Sequence, residues 1–510
     1  MTLVDAPGVT IGTADLDLDD LVAIAHGAPV ALDDDAWATI DASRAIVDAV
    51  VDGPDLVYGL NTGLGHQRDV ALQRDSLRRI QALVVRVHEG GVGDPLPTVV
   101  VRGAMAARLN GIARGGSGAS RPVAQGLVAL LNARVHPVVP QTGSVGASDL
   151  MHMAAIGQVL IGHGHAEVDG DVLPGAAALA RAGLAPIELE PKDGLSIISA
   201  NGVAIGHAAL LVERAERLAE AADLVLAASL EATRGNPSML DDAVLSAKPV
   251  PGQLAAGRSV RRFLAGSRLF EPGGPQSVQD PLSFRVGPQV HGAFREFAAL
   301  LRSAAQLELN ARDDNPLVDV AAGRMLSNGN FHPMVLALAL DALRPAAAHV
   351  GILSDRRMDH LWSAVADVFS SEEMMVRLID GGGGLTRYAA AALVSQLRHA
   401  ANPVTLDVPS LDMGVEDHST NAPLAADLTA RALDLLEGIL AAELQLARLA
   451  AGVQVAGGGV APAVGAAFEA VEAVTSQLAS APSSAAVHGA IAGALCGDIV
   501  VRARAAIPSA

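Results

Sequence analysis

The sequence predicts a mainly α fold: an extended helical bundle with a smaller, loop-rich N-terminal region. Three observations carry that reading. Half of the 510 residues are hydrophobic but only 2% are aromatic, and Ala, Leu, Val and Gly dominate, a composition that suits closely packed helices better than β-sandwiches. From Ser199 onward the apolar residues recur at helical spacing in long runs. Before Ser199 the runs are shorter, and glycines and prolines separate them. The expected division is therefore residues 1–198, loop-rich, and residues 199–510, long-helix bundle. A chain of this length can bury a large core and could hold more than one unit.

Taken in order, Leu18 to Ala28 and Asp33 to Val51 read as short helices on either side of a turn at Pro29. Val57 to Gly65 is a glycine-punctuated loop carrying Tyr58, one of two tyrosines in the protein. A tyrosine there either packs as a lid or does chemistry from a loop. Helical spacing resumes from Leu72 to Val87, followed by His88 and a Gly-rich turn. Val99 to Ile112 reads as an amphipathic helix with Arg102 and Arg108 off its apolar stripe. The Gly115-Gly116-Ser117-Gly118 stretch after it lacks the Lys-Ser/Thr of a phosphate loop, which leaves it a cap and turn.

The segment Gly143-Ser144-Val145-Gly146-Ala147-Ser148-Asp149-Leu150 is dense in small residues and fenced by prolines. Its plain reading is a Gly-rich approach to a helix with Ser148 and Asp149 as caps. Next, Ile161 to Leu173 is a hairpin-like excursion; His163 and His165 within it have no third ligand at a usual metal spacing. The long helices then follow: Ala204 to Arg234, Val290 to Leu309, Met334 to Leu353, Ala389 to Ala400, Ala422 to Ala451 and Ala463 to Leu478.

Charge and cysteine content exclude several classes. A formal net charge of -19 without a Lys/Arg run disfavours nucleic acid. The lone Cys496 excludes an intrachain disulfide and a multi-cysteine metal site. The first residues are acidic and do not read as a signal peptide, so a cytoplasmic protein is expected. Leu449 to Phe468 and Ala473 to Gly497 lack charges and are long enough to raise the question of a membrane span, but Gly, Pro and polar residues interrupt them; buried helices of a soluble bundle are expected instead.

Polar loops lie between the helices: Gln279 to Arg285 with Pro288 to Gly292, Asn310 to Leu317, Asn328 to His332, and Val415 to His418. Singly, each reads as caps and surface pairs. Together their amides, arginine and carboxylates would make a convergent polar site on an apolar scaffold.

These motifs carry a resemblance. In order and spacing, from about Asp55 to about Gln445, the chain resembles the histidine and phenylalanine ammonia-lyase family through Tyr58 to Gly63, Gly143 to Asp149, Gln279-Asp280 to Arg285, Pro288 to Gly292, Asp314 to Leu317, Asn330-Phe331-His332 and Glu416-Asp417-His418. The resemblance implies a mainly helical homotetramer with active sites shared between subunits. It implies a small amino acid substrate that loses its amine and a β-proton to give an unsaturated acid, with no metal and no nucleic-acid or membrane partner. It also implies a methylidene-imidazolone electrophile made by cyclising an Ala-Ser-Gly loop, here at Ala147, Ser148 and Asp149, and otherwise no cofactor. By the same resemblance Tyr58 is the base, Arg285 binds the carboxylate, Gln279 and Phe331 line the pocket, and Glu416 meets the amine or a ring nitrogen. His88 stands where relatives that prefer histidine place one, which points to an imidazole substrate.

Departures from the family pattern surround the leaving amine. Ser148 is followed directly by Asp149 where the pattern has Gly; Ser199 stands where the pattern has Asn, with Asn201 two positions on; and Leu282 replaces a second tyrosine. Tyr388 is the other tyrosine that could enter the pocket, with core packing the plainer expectation. The readings left open are an ammonia-lyase whose electrophile forms from Ala147-Ser148-Asp149 with Asn201 reaching in, an electrophile-free lyase that releases trimethylamine from a histidine betaine and so resembles ergothionase, and a non-catalytic relative that binds or assembles.

Overall fold

Ala- and Leu-rich runs form the helices where the spacing places them, and the Gly/Pro punctuation forms the turns. The structure is a computed structural model that describes residues 7–365, 372, 375, 386–406, 409–454, 459–478 and 482–509. The chain divides into two compact units. One comprises Met1–Leu211, Leu301–Leu340 and Pro403–Asp427, the other Val212–Leu300, Asp341–Asn402 and Leu428–Ala510.

In the first unit, Asp17 and Asp33 cap helices Leu18–Ala25 and Asp34–Asp52 by accepting the backbone N–H groups of Asp19 and Ala36, satisfying donors that a helix start leaves orphaned. Short strands brace this unit. Val9–Ile11 pairs in parallel with Val30–Leu32, in register Val9 to Val30. The expected hairpin is present as His165–Val168 against Asp171–Pro174, turning through Asp169 and Gly170 at positive φ and also pairing with His136–Pro137.

Helix Thr98–Ala113 departs from the amphipathic expectation, because every residue from Val100 to Ala113 is buried. Its arginines are not on a wet face. Arg102 donates to the carbonyls of Ile24, Ala25 and Leu131 near the ends of two other helices, and Arg108 forms a two-pronged pair with Asp314 at 3.1 and 2.8 Å. The guanidinium fork makes such burial tolerable by satisfying orphan acceptors. Helix Gly202–Thr233 crosses this helix closely enough that a Cβ on Gly206 would lie 2.6 Å from the Ala104 nitrogen.

The second unit is built from long helices, among them Gly287–Leu309 in part, Ala422–Gln454 in part and Pro462–Ser476. A Cβ on Gly292 would meet the Gln253 nitrogen at 2.5 Å, so a crossing depends on that glycine too. Inside, Arg357 pairs with Glu443, Nη2 to Oε2 2.8 Å, and Glu443 also accepts from Ser229. Arg357 further donates to the Ser283 carbonyl at 3.1 Å. His291 and Arg295 both hold Asp223, at 2.9 and 2.6 Å.

Among the described residues, Asp193–Thr233, Met334–Val365 and Ser484–Ala505 are long and apolar enough to cross a membrane by length and composition. Burial accounts for the first, whose most apolar window is 94% buried. The last differs from the buried helix expected near the C-terminus: its apolar window is only 28% buried in this chain. Tyr388 also departs from core packing, standing 72% exposed on helix Thr386–Ala400. The Gly381–Gly384 run before it lies outside the described residues.

The fully buried Arg357–Glu443 pair is costly to break from one side, since the remaining charge keeps its desolvation cost. Glu443→Leu is expected to lower stability by roughly 3–5 kcal/mol in urea unfolding, well beyond a surface charge removal.

Candidate active site

Two groups of the residues singled out in the sequence come together within the first unit, and a third lies in the second unit. The first group surrounds Tyr58. Gly59 adopts φ +66°, and a Cβ there would meet Leu195 Cδ2 at 2.4 Å, so only glycine lets this loop approach helix Asp193–Ile198. The Tyr58 hydroxyl accepts the Gly65 N–H at 3.4 Å. Burial raises its pKa, the Gly65 N–H opposes that, and the carboxylates of Glu416 and Asp412 raise it further.

Glu416 is carried on a tight turn closed by paired backbone hydrogen bonds with Leu411. Its own pKa is raised by burial and by Asp412, and lowered by His88. His88 closes helix Leu77–Val87 and its Nδ1 lies 2.7 Å from the Val84 carbonyl. A carbonyl only accepts, so Nδ1 carries the proton and Nε2 of the neutral ring is an acceptor. His66 closes the cluster by donating its backbone N–H to Asp412 and placing Nδ1 2.8 Å from the same carboxylate. Tyr58, His88 and Glu416, far apart in sequence, thus share one electrostatic neighbourhood.

The second group is the Gly143–Asp149 loop. Gly146, at φ +77°, lies so near Thr420 that a Cβ would sit 2.3 Å from its hydroxyl. Thr420 donates to the Gly146 carbonyl at 2.7 Å, and Asn421 N–H to that of Val145 at 2.8 Å. Ser148 is itself left-handed, φ +60°, and donates its N–H to the Phe331 carbonyl at 3.1 Å. Phe331 therefore supports the loop through its backbone. The neighbouring His332 and His418 rings are hydrogen bonded at 3.0 Å.

Asp149 precedes helix Leu150–Leu160 but makes no side-chain cap to it. Its carboxylate instead accepts the Ala204 N–H at 2.8 Å, at the start of helix Gly202–Thr233, and the Ser144 hydroxyl at 3.0 Å. The helix N-terminus suits a carboxylate, yet complete burial pushes Asp149 up to about 6 against the lowering effect of those hydrogen bonds. The backbone N–H of Asp149 donates to the Ala200 carbonyl at 2.7 Å.

That arrangement bears on the electrophile. Ring closure needs the nitrogen after Ser148 to attack the Ala147 carbonyl, and that nitrogen is the Asp149 N–H bound to Ala200. Turning the peptide would also pull a buried carboxylate from the Ala204 N–H and the Ser144 hydroxyl. Asn201 does not reach the loop by hydrogen bonds: its N–H and Nδ2 both point to Asp313, at 3.2 and 3.3 Å. Ser199 ends helix Asp193–Ile198, its N–H on the Leu195 carbonyl. The residues present do not fit a methylidene-imidazolone.

In the second unit, Gln279, Arg285 and Gln289 line a cavity of about 370 Å³ together with Asn236 and Asp280. Arg285 Nε donates to the Asp280 carbonyl at 2.8 Å, which orients the guanidinium and leaves its Nη groups for an acid. Leu282 opens the same short helix, Leu282–Arg285, and is 62% exposed. Its neighbour Ser283 is the residue whose carbonyl Arg357 holds, a support for Arg285 that no spacing in the sequence signals.

Comparison with known proteins decides the family. Residues 16–473 match the family model for aromatic amino acid lyases. The chain belongs to that family. It is 39% identical over 438 residues to a histidine ammonia-lyase of Gloeobacter violaceus, covering 85% of each. It is accordingly a carbon–nitrogen lyase. Among solved structures, it is similar to the ergothionase of Treponema denticola, a structure in complex with desmethyl-ergothioneine sulfonic acid (TM-score 0.87, 26% identity, 96% of this chain and 100% of that one). It is also similar to the histidine ammonia-lyase of Trypanosoma cruzi (TM-score 0.86, 27% identity, 98% and 95% covered).

An intact-protein mass spectrum is expected to give the mass of the unmodified sequence. A species lighter by two waters would show that the Asp149 peptide does turn and close the ring.

Proposed function

We propose that this lyase eliminates the amine of a histidine derivative, giving an α,β-unsaturated acid, and does so without a cyclised electrophile. The observation that carries the second half is the Asp149 N–H held by Ala200. Without an electrophile the nitrogen has to be a good leaving group in the substrate itself. A trimethylammonium group, as in a histidine betaine, is one, because it departs as neutral trimethylamine and cannot add to an electrophile in any case. The likeness to ergothionase supports this reading, and the identity to a histidine ammonia-lyase supports the imidazole part of it.

Tyr58 phenolate removes a proton from the β-carbon, the C–H electron pair forms the new double bond, and the C–N pair leaves with the amine. His88 Nε2 accepts from the imidazole N–H of the substrate while Glu416 meets the other side of the ring or the departing cation. A cationic substrate nitrogen opposes the raised pKa of Tyr58, so binding itself favours the phenolate. The substrate carboxylate is held by Arg285, with Gln279 beside it.

We read the active enzyme as a homotetramer whose sites combine residues of different copies. What supports this is that large apolar side chains such as Phe297, Leu300, Leu307, Val335 and Leu338 are exposed in the single chain. Second copies covering those rows would remove that apolar surface from water.

Histidine betaine is expected to yield trimethylamine and an ultraviolet-absorbing acrylate. Tyr58→Phe is expected to lower kcat by about 10²–10⁴-fold. With the raised Tyr58 pKa, the wild-type rate should climb with pH through the alkaline range, a limb that Tyr58→Phe lacks; an unchanged profile would remove Tyr58 as the base. Release of ammonia from plain histidine at a comparable rate, by protein of unmodified mass, would overturn the quaternary leaving group.

Shared sites have their own signature. Tyr58→Phe and Arg285→Leu, each inactive alone, should regain part of the wild-type rate when refolded together, because mixed tetramers then contain sites with neither substitution. No recovery in a verified mixed tetramer would place both residues in one copy's site.

A further inference from the structure

Ala200, whose carbonyl fixes the Asp149 peptide, is also a wall of a small cleft lined by Arg108, Asn201, Glu308, Leu309 and Asp313. About 10 Å³ of it is open to the centre of a water-sized particle, room for one occupant. Its polar lining mixes acceptors with the Arg108 guanidinium, whose Nε has no protein partner. Asn201 is wholly buried and spends both its N–H and its Nδ2 on Asp313, while its Oδ1 has no protein partner. Asp313 and Glu308 add carboxylates.

The charges around the cleft do not cancel. Asp313, Asp314 and Glu308 stand against Arg108 and Lys192, three carboxylates to two cations, with Arg108 at 4.0 Å from Asp313 and 2.8 Å from Asp314, and Lys192 at 3.9 Å from Asp314. One negative charge is left over, carried by the partly buried Glu308 beside the buried Asp313, where reduced solvation makes it costly unless matched. A proton can match it: burial, and then repulsion between the acids, pushes Glu308 up to about 7 and Asp313 to about 6. At neutral pH the proton is therefore loosely held, and a small cation competes for the same place.

We propose that the cleft binds one monovalent cation of the size of potassium or ammonium, held by Glu308, Asp313 and Asn201 Oδ1. Oxygen donors and room for a single particle suit such an ion. Magnesium would bring several waters that the cleft has no room for. Transition metals lack their usual ligands, since no group of three or more His, Cys, Asp or Glu able to hold a metal occurs among the described residues. By drawing Asn201 and Asp313 together, the ion braces the Ala200–Gly202 turn and so the Asp149 peptide.

The test uses the full-length protein exchanged into choline chloride at pH 8, where Glu308 is ionised. Potassium and ammonium chloride are titrated separately against choline at constant ionic strength. Each is expected to raise Tm saturably by about 2–4 °C, and crystals grown in rubidium chloride should show an anomalous peak between Glu308 and Asn201. Glu308→Gln, with its circular dichroism unchanged, should abolish the potassium-dependent shift. Superimposable potassium, ammonium and choline curves for the wild-type protein, with no rubidium peak, would overturn the proposal and leave the cleft to a proton or a water. Because both wild-type readouts decide alone, a Glu308→Gln protein that failed to fold would not shield the idea.

Discussion

The grip on Asp149 is the constraint on which the site depends. Its carboxylate caps helix Gly202–Thr233 through the Ala204 N–H, and its N–H is taken by Ala200 just ahead of that helix. The same residue therefore fastens the loop to the helix from both its main chain and its side chain. A buried carboxylate at a helix N-terminus gains from the dipole and from charge-assisted hydrogen bonds, which offset part of its desolvation. The tie fixes Ser148 under the Phe331 carbonyl and removes the one nitrogen that ring closure would use. One residue thus supplies a helix cap and engages the nitrogen that ring closure would use.

Small residues make the rest of the architecture workable. With few aromatics to fill space, the core relies on Ala, Leu and Val and on glycines where backbones nearly touch, at Gly103 with Gly206 and at Gly252 with Gly292. Close helices leave little room for water, so buried charge has to be matched locally. Arg108 with Asp314 in one unit and Arg357 with Glu443 in the other do this, and each lies beside a segment that carries functional groups. Arg357 reaches the Ser283 carbonyl two residues before Arg285.

Much of this was legible in the chain. Helical spacing located most of the long helices to within a few residues, because a face that must be buried repeats at the helical period whatever it packs against, but it ended the helix from Met334 at Leu353 where it runs on to Val365. The hairpin after Ile161 was readable from its Asp-Gly turn, since few residues accept the left-handed region that Asp169 and Gly170 adopt. Spacing misread Arg102 and Arg108, which look like a polar face yet lie inside. What hides them is not local: their acceptors belong to residues up to 206 positions away.

The sequence by itself determined the helices, the family motifs and the missing glycine after Ser148. Only the tertiary structure decided what that missing glycine means. The partner of a buried polar group is chosen by long-range packing, and Asp149 finds its partners 55 positions on, at Ala204, and at Ala200, where no pattern in the octapeptide could name them. Asn201 was turned toward Asp313 by the same rule, which requires every buried donor to find an acceptor and lets the fold determine which one.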